Sequence, residues 1–377
     1  MYKVQVHRKK QSFAWILASG LALSVLVTGC GQQSAAPQPA VSEQAGKSDQ
    51  AQKQDQTFEL NVGYGQSLGT QLGFIAEYEG YFKEQNLKVN FVPFASTADG
   101  LNGLQAGKID VGVSFGTAGP LTFISQGSDF SIIGGHLSGG SPVYAKKENQ
   151  DQFKTIEGFR GKKVGTLRLY TGDIVFRSAL SQAGIDWKKD IELIEFKNNS
   201  MLLEAIKSGK VDVGVGSPGT LYEAEEGGLV AVTWSNELQP DHVCCRIVAK
   251  TGDVKEKREA FKRFLKAIIK AERDKEKDPK VTIDASRPHI RLDDKIMEKS
   301  IIEPHMLNHS DPNKKEIVKM WENMNDIGYI KEGKDIDITK YIDTSLYKEA
   351  VEELIASEPD EPFFQKVKER FNQQNIG

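Results

Sequence analysis

The chain has 377 residues, of which 39% are hydrophobic and 27% are charged, and this composition excludes a collagen, a fully disordered chain and a polytopic membrane protein. Its length allows about two domains, and cores of that size need no disulfide scaffold. The formal net charge of −3 supplies no basic surface for a phosphate backbone, so nucleic acid is not an expected partner.

The N-terminal segment is typical of a signal peptide. Residues 1–29 contain four basic residues, no acidic residue and an apolar run from Phe13 to Thr28. A membrane anchor helix is the alternative, although a span needs about 20 apolar residues. The stretch Leu26-Val27-Thr28-Gly29-Cys30 resembles the bacterial lipobox, which implies a lipid on Cys30 and a membrane tether. Residues 30–57 are rich in Gln, Ser, Ala and Pro, and this composition predicts a disordered leash.

An internal repeat organises the rest of the chain. The segment Leu104-Gln105-Ala106-Gly107-Lys108-Ile109-Asp110-Val111-Gly112-Val113 recurs 102 positions later as Ile206-Lys207-Ser208-Gly209-Lys210-Val211-Asp212-Val213-Gly214-Val215. At the same offset, Asn61-Val62-Gly63-Tyr64 falls on Lys163-Val164-Gly165-Thr166. Two copies are too few for a solenoid and predict two similar lobes.

Each copy shows the same order of hydrophobic periods. In the first copy, alternation predicts strands at 58–64, 87–94 and 109–115, and helical spacing predicts helices at 73–83 and 98–106. The second copy predicts strands at 163–167, 191–195 and 211–216 with helices at 171–183 and 200–207. This pattern indicates an α/β protein with open, mainly parallel sheets flanked by helices, in which ligands bind at the carboxyl ends of strands.

The second copy is predicted to be inserted in the first lobe. We expect residues 58–141 to begin lobe 1, residues 142–245 to form lobe 2, and residues 246–377 to complete lobe 1 with C-terminal helices. The two crossings between the lobes would serve as a hinge.

The order of lipobox, leash, lobe, inserted lobe and helical tail resembles the solute-binding lipoproteins of bacterial ABC importers, with the two-lobed type II periplasmic-binding-protein fold. The similarity is greatest to the nitrate, sulfonate and taurine branch, which includes proteins for thiamine pyrimidine precursors. It rests on both Gly-Lys-Ile/Val-Asp-Val-Gly-Val segments, and on Gly73-Phe74-Ile75-Ala76, Glu79-Gly80-Tyr81-Phe82 and Tyr341-Ile342-Asp343-Thr344-Ser345-Leu346-Tyr347.

Polar and aromatic side chains follow the predicted strands, and we expect them to face a cleft between the lobes. In lobe 1 these are Tyr64, Gln66, Ser67, Ser114, Phe115, Gly116 and Thr117, and in lobe 2 they are Arg168, Tyr170, Thr171, Gly172, Asp173 and Ser217. Near the crossings, His136, Ser138, Gly139 and Cys245 are further candidates.

Several of these residues allow two interpretations. Arg168 suits a planar oxyanion, or an ordinary surface ion pair. The helix that Thr171 and Gly172 open could hold an anion at its N-terminus, or Thr171 could be a plain N-cap. A carboxylate of Asp173 in the cleft would favour an amine or a pyrimidine amino group. Arg168 and Asp173 together suggest a zwitterion or a heteroaromatic that stacks on Tyr64, Phe115 or Tyr170.

The Cys244-Cys245 pair is the unusual local feature. Neighbours in a strand point to opposite faces, so one thiol is expected in the core and the other at the cleft. Two buried hydrophobes, a metal site and a vicinal disulfide are the alternatives. His136 is either a hydrogen-bonded structural residue or a ligand contact. His305 and His309 have the i, i+4 spacing of zinc helices, but no HExxH motif surrounds them, and no metal is predicted.

The sequence therefore predicts a monomeric, lipid-anchored extracytoplasmic protein that closes its lobes on a small sulfonate, oxyanion or pyrimidine-like solute. The resemblance implies an ABC permease with a cytoplasmic ATPase as partner. No cofactor and no catalytic residue is expected. One alternative is an enzyme on the same scaffold that acts on a pyrimidine precursor with His136, His242 and the thiols of Cys244 and Cys245. Another is a lipoprotein that senses a ligand and contacts a receptor.

Overall fold

The structure is a computed structural model, and it describes residues 56–66, 68–331, 333 and 335–376. These residues contain two β-sheets. The predicted signal segment, Cys30, most of the leash and Ser67 lie outside these residues. Within them, no helix combines the length and the apolar character needed to cross a bilayer.

The strands are β1 (Phe58–Gly65), β2 (Leu87–Phe94), β3 (Val111–Gly112), β4 (Phe130–Gly139), β5 (Pro142–Lys146), β6 (Lys163–Leu167), β7 (Glu192–Phe196), β8 (Val213–Val215), β9 (Leu229–Trp234), β10 (Val243–Lys250) and β11 (Met306–Leu307). The helices are α1 (Gln71–Tyr78), α2 (Tyr81–Glu84), α3 (Thr97–Gln105), α4 (Ala118–Ser125), α5 (Thr171–Gln182), α6 (Asn199–Lys207), α7 (Leu221–Glu226), α8 (Ser235–Leu238), α9 (Thr251–Glu256), α10 (Arg258–Lys277), α11 (Val281–Ser286), α12 (Asp294–Ile301), α13 (Lys314–Asp326), α14 (Ser345–Ser357) and α15 (Pro362–Asn375). Short 3-10 turns occupy Leu68–Thr70, Lys147–Phe153, Ile156–Phe159 and Ile338–Tyr341.

Both sheets use the same strand arrangement. The first sheet has the order β2-β1-β3-β10-β4-β11 and the second has the order β7-β6-β8-β5-β9. In each, three parallel strands are followed by an antiparallel strand, β10 or β5. That antiparallel strand is the first one after the chain crosses from the other sheet. The predicted α/β class is therefore confirmed, but the sheets are mixed rather than mainly parallel.

The repeat is visible in the hydrogen bonds of the two sheets. Asp110 accepts the main-chain N–H of Asn61 at 2.8 Å, and Asp212 accepts that of Lys163 at 2.8 Å. In return, the main-chain N–H groups of both aspartates donate to the carbonyl oxygens of the same two residues. The repeated aspartate therefore pins the start of the third strand of each copy to the first strand.

The repeated glycine ends a helix in each copy. Gly107 follows α3 with a φ of 71° and Gly209 follows α6 with a φ of 74°. A side chain is strained in this left-handed region, which glycine enters freely. A third left-handed glycine, Gly80 with a φ of 76°, divides the predicted helix 73–83 into α1 and α2.

Hydrophobic layers cover the faces of both sheets. On the first sheet, α10 packs Phe261, Phe264 and Leu265 into the largest cluster. A second cluster joins Met320 and Trp321 of α13 to Ile174 and Val175 of α5, so the two sheets share a core.

The chain crosses twice between the sheets, and the two crossings lie side by side. The first runs from β4 to β5 through residues 140–141, and the second runs from α8 to β10 through residues 239–242. Two hydrogen bonds join them. The N–H of Ser235 donates to the carbonyl oxygen of Ser141 at 2.8 Å, and the N–H of Gly139 donates to the carbonyl oxygen of His242 at 3.2 Å. β10 starts at Val243 in the first sheet, so position 245, where lobe 2 was expected to end, lies inside β10.

Candidate ligand-binding cleft

A cavity of about 290 Å³ lies where the strand ends of the two sheets meet. From the first sheet it is lined by residues after β1, β2 and β3, which are Gln66, Ala95, Ser96, Thr97, Ser114 and Phe115. From the second sheet it is lined by residues after β6, β7 and β8, which are Arg168, Tyr170, Lys197, Asn198, Asn199, Ser200, Ser217 and Pro218. The cleft therefore lies where the open-sheet rule places a ligand.

Two helices of the repeat direct their N-termini to this cavity. Ser96 caps α3 by accepting the N–H of Asp99 at 3.2 Å, and Asn198 caps α6 by accepting the N–H of Met201 at 3.0 Å. Ser96 and Asn198 are 102 positions apart, so they are equivalent in the repeat. Each helix brings the positive end of its dipole to the cavity, one from each sheet. This arrangement favours a negatively charged ligand.

The charged side chains of the cleft are mainly basic. Arg168 is exposed, and within the part of the chain that the structure describes no carboxylate lies within ion-pair distance of it. Lys197 lies 3.6 Å from Asp99 on the first-sheet side, so this pair spans the cleft. Glu223 is the acidic residue of the lining, and burial raises its pKa.

The loop that carries Arg168 and Tyr170 has an unusual backbone. Leu169 between them has a φ of 61°, in the left-handed region that costs a branched side chain energy. The N–H of Arg168 donates to the carbonyl oxygen of Phe196 at 3.2 Å. Arg168 and Tyr170, the two neighbours of Leu169, line the cavity. The strained residue therefore lies between two side chains that face the cleft.

Aromatic rings form the apolar part of the cleft. Phe94 contacts Phe115 edge to face, with 5.7 Å between the ring centroids. A Cβ atom at Gly100 would lie 2.2 Å from the Phe115 ring, so the absence of a side chain there makes room for it. Burial raises the pKa of Tyr170, which keeps its hydroxyl neutral and able to donate a hydrogen bond.

The structure brings together some of the predicted residues. Those that line the cavity are Gln66, Ser114, Phe115, Arg168, Tyr170, Ser217 and Cys245. Tyr64 lines a neighbouring cavity. The others that the structure describes are outside the lining of the cleft, and they are Gly116, Thr117, His136, Ser138, Gly139, Thr171, Gly172 and Asp173.

Thr171 links the two sheets instead of contacting the cavity. Its fully buried hydroxyl oxygen accepts the N–H of Thr117 at 2.8 Å and that of Ala118 at 3.2 Å, and it donates to the carbonyl oxygen of Cys244 at 2.9 Å. Thr171 therefore caps the first-sheet helix α4 from the second-sheet side. The hydroxyl of Thr117 also reaches the carbonyl of Cys244, at 2.9 Å.

The prediction that Asp173 faces the cleft is wrong. Its fully buried carboxylate accepts two hydrogen bonds from Arg177, at 2.9 and 2.6 Å. The guanidinium also lies 4.4 Å from the ring of Trp187 and 5.1 Å from that of Tyr329. Burial raises the pKa of Asp173 to about 6, an effect that the Arg177 charge opposes. The i, i+4 spacing of the two residues on one helix was the signal for this pair.

The expectation that Cys244 and Cys245 point to opposite faces is also wrong. Their Sγ atoms are 3.7 Å apart, because the pairing of β10 with β4 shifts register on both sides of Cys245. Cys245 lines the cleft, while both thiols are buried beside Leu137 and Met306. Within the described residues, no group of three His, Cys, Asp or Glu side chains is placed to hold a metal ion.

Of the residues expected near the crossings, Ser138 has a buried side-chain partner, whereas both ring nitrogens of His136 have no hydrogen-bond partner among the described residues. Arg246 is fully buried and donates to the hydroxyl of Ser138 at 2.8 Å and to the carbonyl of Leu137 at 3.1 Å. His136 is fully buried, and burial lowers its pKa to about 3. Burial likewise lowers the pKa of His242 to about 4. Neither histidine lines the cavity, so the two proposed bases of the enzyme alternative lie away from it.

The sequence reasoning missed the residues that follow the middle strand of each copy. Those that line the cavity are Ala95, Ser96 and Thr97 after β2, and Lys197, Asn198, Asn199 and Ser200 after β7. The signal was available, because β2 and β7 are parallel to their neighbours and end at the same edge. Their loops therefore had to reach the cleft as well.

Comparisons with known proteins agree with the two-lobed fold. The periplasmic nitrate-binding protein of Synechocystis PCC 6803 superimposes with a TM-score of 0.68 at 15% identity, over 85% of this chain and 99% of that one. The periplasmic aliphatic sulphonate binding protein of Escherichia coli gives a TM-score of 0.64 at 17% identity, over 78% and 100%. The predicted periplasmic-binding-protein fold is thus confirmed.

Sequence comparison adds a family. A protein of Brucella abortus (strain 2308) is 25% identical to this chain over 276 residues, which are 72% of this chain and 82% of that protein. Its name describes it as a binding protein and gives no solute. The sequence model described as NMT1/THI5 like matches residues 72–281, more than half of the chain. The chain belongs to the NMT1/THI5-like family.

Proposed function

We propose that this protein is an extracytoplasmic solute-binding protein of an ABC importer, and that its solute is a small oxyanion or an organic anion with a sulfonate or carboxylate group. One observation carries this proposal. Two repeat-equivalent helix N-termini, one from each sheet, face a single cavity beside Arg168. Both helix ends and the guanidinium favour negative charge.

The hypothesis of a zwitterion or a pyrimidine loses its main support, since the carboxylate of Asp173 is paired with Arg177. Glu223 is the acidic side chain that lines the cavity, and burial raises its pKa. Two basic side chains, Arg168 and Lys197, line the same cavity, and they support an anionic solute.

Closure of the two lobes is the proposed mechanism. A ligand that contacts both sheets binds the closed form more tightly than the open form, and so shifts the population toward closure. The paired crossings at residues 140–141 and 239–242 supply the hinge. The ion pair of Lys197 and Asp99, at 3.6 Å, is a contact between the two sides that closure would keep.

The location and the partner belong to the same proposal. A lipid on Cys30, suggested by the lipobox resemblance, would hold the protein at the membrane beside a permease with its ATPase. The structural neighbours named for nitrate and sulphonate binding support the capture of a small anion as the role. We propose that Gln66, Ser96, Thr97, Ser114, Arg168, Asn198, Asn199 and Ser217 contact the solute.

The test is calorimetric titration of the whole chain with nitrate, methanesulfonate, taurine, acetate and bicarbonate. Arg168→Ala should weaken the best anion tenfold or more, because a charge-assisted hydrogen bond contributes about 1.5–3 kcal/mol. Arg160→Ala is the matched control, since Arg160 is a surface residue of the second-sheet region that is paired with Glu157 and Asp190. If Arg168→Ala binds as the unmodified protein does, the proposed role of this residue is wrong.

A further inference from the structure

The paired thiols of Cys244 and Cys245 are not used by the proposed function. Their Sγ atoms lie 3.7 Å apart, because the register of β10 shifts on both sides of Cys245. Cys245 is 4% exposed and lines the cleft, whereas Cys244 is 1% exposed and is outside its lining. One thiol can therefore be reached from the cleft, and the other lies next to it in the interior.

The two thiols differ in acidity. The hydrogen bond between them lowers the pKa of Cys245 and raises the pKa of Cys244, so Cys244 is the donor and Cys245 is the acceptor. The N–H of Gly116 and the charge of Arg246 also lower the pKa of Cys245, against the effect of burial. The thiolate is the form of cysteine that attacks an oxidant. It is therefore favoured at the thiol that lines the cleft.

Arg246 is a buried cation beside these thiols. Its guanidinium is fully buried and donates to three neutral oxygen atoms at 2.8 to 3.1 Å, while its Nε has no hydrogen-bond partner among the described residues. In the part of the chain that the structure describes, no carboxylate lies within ion-pair distance of it. The carboxylate of Asp311 accepts from Asn375 instead, at 2.9 and 3.0 Å. Since buried charges are stable when they are paired, a thiolate on Cys245 is a suitable counter-charge.

We propose that Cys244 and Cys245 are a peroxide-reactive pair, in which Cys245 attacks a hydroperoxide and Cys244 closes a disulfide. The Cys245 thiolate attacks one oxygen of the O–O bond and the other oxygen leaves as hydroxide or alkoxide, so Cys245 becomes a sulfenic acid. The sulfur of Cys244 then loses its proton and attacks the Sγ of Cys245, an S–S bond forms, and the sulfenic oxygen leaves as water. Two thiols are oxidised, and one hydroperoxide is reduced to water and an alcohol, or to two waters from hydrogen peroxide. This reaction does not depend on the identity of the solute.

The disulfide would move a peptide group that joins the two sheets. The carbonyl of Cys244 belongs to the peptide between the two cysteines, and it accepts the hydroxyls of Thr117 and Thr171 at 2.9 Å each. An S–S bond is about 2.05 Å long, so the Sγ atoms must approach from 3.7 Å and the peptide enclosed in the ring must turn. The Cα atoms of adjacent residues are only about 3.8 Å apart, closer than is usual for a disulfide, so this bond is strained and readily reduced. The oxidation is therefore reversible and acts where the sheets are joined.

The experiment treats the whole chain with hydrogen peroxide, blocks the remaining thiols with iodoacetamide in denaturant and maps the peptides by mass spectrometry. Every sample carries Cys30→Ser, so that the third cysteine of the chain contributes no thiol. The peptide with Cys244 and Cys245 should lose two hydrogen atoms and take up no blocking group, and dithiothreitol should restore both thiols. Recovery of both as free thiols, at a peroxide concentration that fully oxidises free cysteine, would overturn the inference.

A matched pair of variants assigns the two roles, and circular dichroism checks that each is folded. In Cys244→Ser the serine hydroxyl can still donate to Cys245 but cannot close a disulfide, so the reaction should stop at a sulfenic acid that dimedone traps. In Cys245→Ser the remaining thiol is outside the lining of the cleft and has the raised pKa, so it should react about tenfold more slowly or less. Equal rates in the two variants, or faster reaction of Cys245→Ser, would overturn the assignment.

Hydrogen exchange of the unsubstituted pair tests the effect on the junction. The N–H groups of Thr117 and Ala118 donate to the hydroxyl of Thr171, which in turn donates to the carbonyl of Cys244. These two amides should exchange faster in the oxidised protein than in the reduced protein. Equal exchange in a fully oxidised sample would contradict the movement of this peptide.

Discussion

Thr171→Val is a sharp test of how the two sheets are joined. Valine keeps the shape of threonine and removes the hydroxyl that accepts the N–H groups of Thr117 and Ala118, at 2.8 and 3.2 Å. Thr171 and Thr117 are fully buried, so water cannot replace the lost acceptor without a rearrangement. An unpaired buried donor costs about 1–3 kcal/mol, and we expect a loss of this size in the free energy of unfolding.

The assay is urea denaturation of the whole chain, followed by circular dichroism, at constant pH and salt. Thr282→Val is the matched control, since Thr282 is equally buried and its hydroxyl has no hydrogen-bond partner among the described residues. The control should change stability by less than about 0.5 kcal/mol or increase it. If Thr171→Val costs no more than the control, the hydroxyl does not hold the sheets together and the reasoning is refuted.

Two further predictions concern stability. The pKa values of His136 and His242 are lowered by burial to about 3 and about 4, against about 6.5 in the unfolded chain. Because the unfolded chain binds protons at these two histidines before the folded protein does, the free energy of unfolding should fall as the pH is lowered below about 6.5. The expected loss at pH 5 is about 2 kcal/mol for each histidine. Equal free energies of unfolding at pH 7 and pH 5 would contradict this burial. Asp110→Ala and Asp212→Ala each remove an acceptor of a main-chain N–H at 2.8 Å, and each should lower stability by about 1 kcal/mol in the same urea assay. Asp110→Ala should lower stability more than Asp212→Ala, because the Lys257 ammonium also donates to Asp110 at 2.6 Å. A larger loss for Asp212→Ala would contradict the assigned contacts.

Most of the backbone could be predicted from the sequence. The predicted strands at 87–94 and 163–167 have the observed bounds, and the predicted helix 171–183 ends one residue later than α5. Alternation and helical spacing are local signals, so they fix such elements. The predicted strand 109–115 was too long, since only Val111 and Gly112 lie in β3. Apolar character alone does not show where the ladder of hydrogen bonds stops.

The side chains of the cleft were harder to predict than its position. The rule of strand ends placed Gln66, Ser114 and Arg168 at the cavity, because it depends only on the order of elements. The positions of Asp173 and the cysteines depend on a partner within the helix and on a shift of register. Such contacts are set by the packing of particular side chains, which periodicity does not encode.

Small-angle X-ray scattering, recorded with and without the best anion of the titration series, tests the central claim most directly. A solute-binding protein that closes on its ligand should show a smaller radius of gyration in the bound state, and the Arg168→Ala variant at the same anion concentration should stay open. Saturating binding with no change in the radius of gyration would contradict lobe closure as the mechanism.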